Sequence, residues 1–294
     1  MISKTPSVLY CLSLTITPIP ISSRNILINL SGILNNYVNK LYVMKVSLKL
    51  QNLETKDSNW GVDFIDLRKS YISKDAGKDV LSVVYCKDSN SKGDNMNNGG
   101  AEIDFAPTGV LPSVTKATFG CKIKYPSNFD FTRGGKTGVG FAMGDGNASG
   151  GRRSDNASSA RIMWRQNGAA TLYIYTPKNL HQLDENLDNA AFSSGDWGVE
   201  FFKDVFKEGT LKRGMWNDVA IQVGLNTFDS VGNSNPDGFA IMTINGVSAS
   251  IGGIRWLKRK DSIRYCPFNT FFGGEEWAAT KDELVLYKDF WVSN

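Results

Sequence analysis

The stretch Ser158–Thr176, SSARIMWRQNGAATLYIYT, constrains this chain more than any other. Side chains alternate faces along a strand. Ala160, Ile162 and Trp164 therefore share one face, and Leu172 and Ile174 continue it on a returning strand. The opposite face carries Ser159, Arg161, Met163 and Arg165, then Thr171, Tyr173 and Tyr175. An apolar row backed by a charged and phenolic row specifies a β-hairpin with one face on a core. The polar row fits either a binding groove or an ordinary solvated surface.

The turn fixes the register. Gln166-Asn167-Gly168 makes a three-residue loop in which Gly168 takes a left-handed conformation. Arg161 then lies opposite Tyr173, and Ser159 opposite Tyr175. A two-residue Asn167-Gly168 turn would set Arg161 against Ile174 and mix charge with apolar side chains on one face. The pattern excludes it.

Elsewhere the chain shows short alternating runs between Gly, Asn, Asp and Ser clusters and little helical periodicity, which predicts an all-β sandwich. Strands are expected at Val46–Leu50, Val80–Val84, Ala101–Phe105, Lys116–Tyr125, Trp216–Leu225, Gly238–Asn245, Phe268–Gly274 and Glu283–Val292. In Lys116–Tyr125 the apolar set Ala117, Phe119, Cys121, Ile123 and Tyr125 alternates with a basic outer row. The stretch between the first two strands reads as polar loop. Gly195–Phe206 reads as a surface turn with Glu200, Asp204 and Glu208 on one helical face. Residues 1–45 are acid-free, apolar and broken by Pro6, Pro18 and Pro20, an N-terminal extension outside a single domain at 46–294. They make a poor signal peptide, and no run reaches the roughly 18 apolar residues of a membrane span.

Charge and special residues exclude several classes of function. The formal charge of +4 arises entirely from Lys4, Arg24, Lys40 and Lys45; without them 29 basic residues face 29 acidic ones. A neutral body lacks the basic footprint of a nucleic-acid binder. Cys11, Cys86, Cys121 and Cys266 show neither metal spacing nor a disulfide framework. The one histidine, His181, lies in a polar loop, so neither a Ser-His-Asp triad nor a His/Cys zinc site is expected.

Two further stretches could carry chemistry. Lys136 sits in a glycine-rich strand, and Gly138 and Gly140 would leave its face bare for a polyanionic sugar chain. Glu102 and Asp104 stand two apart on one strand face, as in the carboxylate pair of a retaining glycosidase. Jelly-roll hydrolases usually continue that motif with another glutamate, whereas Phe105, Ala106 and Pro107 follow here.

Over roughly 75–294 these pieces resemble polysaccharide lyase family 14, the alginate and glucuronan lyases of algal viruses and molluscs. The resemblance rests on VLSVVY, GGAEIDFAP, FDFTRGGK, the SxR…YxY hairpin, GMWNDVAIQVGLN, DGFAIMTINGV and FFGGEEWAATKD. It implies a β-jelly roll with a concave substrate groove, a catalytic set at Lys136, Arg161, Tyr173 and Tyr175, and substrate contacts at Ser159, Arg133 and Arg165. It departs at one place: relatives often read GGKLPG where this chain has Gly134-Gly135-Lys136-Thr137-Gly138-Val139-Gly140.

The residues fit β-elimination on a uronate, which removes the C5 proton and expels the C4 oxygen. Arg161 can neutralise the carboxylate with paired donors. A tyrosine beside Arg161 and Lys136 would have its phenolate favoured and could serve as base and acid, the other tyrosine positioning the sugar. Of the two, Tyr175 is the expected proton carrier. No metal or organic cofactor is expected, and the expected partner is an acidic, extracellular cell-wall polysaccharide met by a monomer of viral or secreted origin. A non-catalytic carbohydrate-binding jelly roll and a structural coat or adhesion protein are the competing readings.

Overall fold

The computed structural model describes residues 44–53, 59–91, 98–185, 187–188 and 197–294. The predicted extension therefore lies outside the described residues, except that Lys45 already opens the first strand. Fifteen strands are described: β1 (Lys45–Leu48), β2 (Val62–Asp66), β3 (Tyr71–Asp75), β4 (Lys78–Tyr85), β5 (Ala101–Phe105), β6 (Lys116–Lys124), β7 (Gly135–Asp145), β8 (Asn156–Trp164), β9 (Ala170–Tyr175), β10 (Val199–Phe201), β11 (Trp216–Gly224), β12 (Gly238–Ile244), β13 (Val247–Ile254), β14 (Ile263–Phe272) and β15 (Glu283–Ser293). Every predicted strand is present. The stretch read as polar loop holds β2 and β3, whose short runs carry exposed residues on both faces and so hide the alternation.

The strands form two antiparallel sheets packed as a β-jelly roll. One runs β13-β12-β11-β6-β15-β4-β3, with β1 also on β15; the other runs β10-β9-β8-β7-β14-β5-β2. Inward-facing residues of both build one core. Trp164, Ile162, Leu172 and Ile174 lie fully inside it, as the hairpin pattern predicts. Trp164 meets Phe272 edge-on at 5.3 Å between centroids and Phe129 at 6.1 Å, and its indole N–H donates to the Arg133 carbonyl at 3.2 Å. Aromatic truncation at such a position costs about 3–5 kcal/mol. Cys121 is buried, and His181 is exposed on its loop beside Asp188 at 3.4 Å.

Candidate active site

The hairpin adopts the predicted register. Ser159 pairs with Tyr175 and Arg161 with Tyr173, while Gly168 holds φ at +76°. The polar row is no solvated surface, however. Ser159 and Thr171 are buried, Arg161 is only 7% exposed, and Tyr175 is 1% exposed.

Lys136 joins this face from β7. It lies opposite Met163 on one side and Phe271 on the other, is 9% exposed, and holds its ammonium 4.9 Å from the Phe271 ring centroid. The sequence departure explains its aim. Between Lys136 and Gly140 the β7 register slips against β8, so the Thr137–Val139 segment bulges. The Thr137 hydroxyl spans that bulge, donating to the Ile162 carbonyl at 2.9 Å and accepting from the Val139 N–H at 3.3 Å. From the core side, Thr270 donates its hydroxyl to the Lys136 carbonyl at 2.8 Å and lies 3.1 Å from the Tyr287 hydroxyl.

The glycines do not make the bare floor expected of them. A side chain at Gly138 would strike the Phe268 ring in the core, and one at Gly135 would strike Trp164. Gly140 does face outward, but Arg161 occupies the space above it: a Cβ there would lie 2.4 Å from Arg161 Cδ. The arginine thus crosses β7 and donates Nη1 to the Pro267 carbonyl on β14 at 2.6 Å. Its guanidinium feels, in decreasing order, Tyr265, the carboxylates of Asp104 and Glu102, and Tyr175.

The two hairpin tyrosines differ. Their rings meet edge-on at 5.3 Å. Tyr175 packs with Ala148 and Ala157, and its hydroxyl accepts the Gly151 N–H at 3.3 Å. Ser159 donates to the Ala148 carbonyl of the same loop, so its hydroxyl fastens that loop. Tyr173 is half-buried, and its hydroxyl accepts the Gly198 N–H at 3.1 Å. Burial, reinforced by Tyr175 beside it, raises the Tyr173 phenol above its usual range. Burial therefore disfavours a phenolate at Tyr173. Burial, reinforced by the positive charge of Arg161 and opposed by Glu102, instead lowers the Lys136 ammonium to about 7.

Arg165 is ion-paired with Glu200 and lies 5.8 Å from the Trp277 ring centroid. Glu200 stands on β10 opposite Tyr173, not on the helical face predicted for Gly195–Phe206. Arg133 is exposed in the loop before β7, apart from the buried group. Glu102 and Asp104 share the outer face through β5, where Glu102 pairs with Arg68 at 3.3 Å. Burial, with Glu102 and Asp63 adding to it against Arg161, raises the Asp104 carboxyl to about 6. The sequence reading missed Tyr265, Asn269 and Phe271, although each alternates with the buried Cys266, Phe268, Thr270 and Phe272. Among the described residues no group of three or more His, Cys, Asp or Glu side chains gathers as metal ligands.

The profile of the family Polysaccharide lyase 14 matches residues 73–290. The chain belongs to polysaccharide lyase family 14. Among solved structures it is similar to the alginate lyase vAL-1 from a Chlorella virus, with 31% identity and a TM-score of 0.76 over 85% of this chain and 98% of that one. The alginate lyase of this family from Aplysia kurodai superposes with a TM-score of 0.65 at 23% identity, covering 85% of this chain and 98% of that one. Alginate lyase Aly36B gives 0.61 at 24% identity, over 85% and 96%. The last two bear on the fold alone. No curated protein sequence matches the chain. Family 14 membership places Glu102 and Asp104 in a lyase scaffold instead of a glycosidase one.

Proposed function

We propose that this family 14 protein cleaves a uronate-containing polysaccharide of the alginate or glucuronan type by β-elimination. The observation that carries the reading is a pair of cations, Lys136 and Arg161, each less than one-tenth exposed on a face that also presents Tyr173. Charges so deeply buried are costly unless a partner meets them, and a uronate carboxylate is such a partner. The vAL-1 relative, an alginate lyase, lends the substrate class.

Arg161 receives the carboxylate and stabilises the enediolate that develops when C5 loses its proton. Lys136 takes that proton as the neutral amine, a form available near neutral pH because its ammonium is depressed to about 7. Tyr173 stays protonated, which suits it to donate to the departing C4 oxygen. Neighbouring strands lie about 4.8 Å apart, so Lys136 on β7 and Tyr173 on β9 are separated laterally by about 10 Å, a span two long side chains can close over one sugar. Tyr175, beneath its loop, holds the ring of Tyr173 in place. This moves proton transfer from Tyr175, the residue favoured by sequence, to the more exposed phenol. The polymer it meets is extracellular, in a cell wall.

Incubation with alginate, glucuronan and a neutral glucan tests the reading through the ultraviolet absorbance of the unsaturated product. Absorbance should grow with at least one polyuronate and not with the glucan. Binding of polyuronate with no absorbance from either would replace this reading with a non-catalytic carbohydrate-binding protein.

A further inference from the structure

The group around the Arg161 guanidinium comes from strands outside the hairpin. Arg161 Nη1 is fixed on the Pro267 carbonyl, and Tyr265 and Asn269 stand two residues to either side on the same face of β14. The Tyr265 hydroxyl has no hydrogen-bond partner among the described residues, whereas both hairpin phenols accept a backbone N–H. The Asn269 side-chain oxygen is buried and also lacks a partner. Directly across from Pro267 stands Asp104, and across from Asn269 stands Glu102. A buried polar atom left unsatisfied is destabilising, so its retention on this face calls for a ligand.

We propose that Tyr265 and Asn269 form a specificity corner that grips the sugar whose carboxylate Arg161 holds, and that Asp104 bounds this corner by repelling any additional carboxylate. The Tyr265 hydroxyl and the Asn269 amide hydrogen-bond this one uronate, its ring hydroxyls included. Asp104 makes the corner selective in charge: it admits one uronate carboxylate at Arg161 and opposes a neighbouring one over β5. The inference rests on the polyuronate reading above and adds to it the residues that choose the sugar.

The two parts predict effects of opposite sign. Tyr265→Phe removes one hydroxyl; KM and the dissociation constant for a uronate tetramer should rise about five- to tenfold with kcat kept within about twofold, the signature of a contact made equally in ground and transition states. Asp104→Asn should lower both constants about two- to fivefold at pH 8 and leave them unchanged at pH 5, where the Asp104 carboxyl, at about 6, is already protonated. The groups facing Asp104 are Arg161, Glu102, Asp63 and Tyr265, with Lys136, lowered to about 7, farther along the same face. Protonation of Lys136 is common to parent and variant and cancels in their ratio. Thermal unfolding of each variant checks that the fold is retained. A merely structural role would weaken binding in both variants alike, and that result, or unchanged binding in both, overturns the proposal. Failure of the parent itself to bind or cleave any polyuronate would instead sink the underlying functional reading.

Discussion

The outer faces of the two sheets both present lysine and aromatic rows, yet they are built on opposite terms. On the eight-stranded sheet, Lys122 is 39% exposed and pairs loosely with Asp218 at 3.5 Å, and Lys288 lies 4.0 Å over Trp216. Such contacts contribute about 0–1 kcal/mol each and are screened by salt. On the seven-stranded sheet, Lys136 and Arg161 are nearly as buried as core residues, with backbone carbonyls and ring faces for neighbours. Identical residue types thus give a solvated surface in one place and displaced proton affinities in the other. Burial, not composition, separates them.

The largest contrast between the faces should appear in turnover. Tyr173→Phe keeps the ring and removes the hydroxyl proposed to donate the proton, so kcat at saturating substrate should fall about 10²–10⁴-fold, the range for loss of a general acid. Tyr175→Phe should cost far less in kcat and should loosen the loop that its hydroxyl anchors. Parent-like turnover of Tyr173→Phe, folded and saturated, would remove the phenol from the mechanism.

Next comes Arg161→Lys, with an expected loss of about 10²–10³-fold in kcat/KM, because an ammonium cannot span Pro267 and a carboxylate together. Lys122→Ala on the other sheet is its control and should leave kcat/KM unchanged, with stability altered by no more than about 0.5 kcal/mol. Equal losses in the two variants would erase the distinction between the faces.

A smaller effect concerns stability. The Lys136 ammonium titrates near 7 in the folded protein and near 10.5 when unfolded, so between those values the unfolded chain binds more protons. Parent stability therefore rises with pH across that window, and the cost of the buried charge is fully present below it. Lys136→Met should be more stable than the parent by on the order of 2–4 kcal/mol at pH 6, with the gain fading toward pH 10. Chemical denaturation at the two pH values measures this; a gain independent of pH would show that packing, not charge, is responsible.

How far the sequence foretells this arrangement depends on the range of the information. Alternation along β8 and β9 with one glycine turn specifies face and register, because a one-residue slip would bury Arg161 in the core. The aim of Lys136 was not readable, since it depends on Thr137 bridging a bulge to Ile162, 25 residues away. Neither was the direction of Arg161, which follows from Gly140 beneath it and Pro267 beyond. Tyr265 and Asn269 went unnoticed because they lie on the outer face of a strand, β14, whose apolar alternation draws attention to the core. Glycines misled most directly, because a missing side chain marks either a floor for ligand or room for a neighbour's side chain, and Gly138, against Phe268, and Gly140, beneath Arg161, are the second kind.

The central claim, that burial turns one lysine of this chain into a base, is tested most directly by kcat/KM against pH between about 5.5 and 9.5. That ratio reports the free enzyme's ionisations. Parent activity should rise through about pH 7 as the Lys136 ammonium loses its proton, and Lys136→Arg, permanently charged, should lose both the rise and most of the activity. A parent profile that rises only toward the phenol range near 10, or a limb near 7 that survives in Lys136→Arg, would contradict the account.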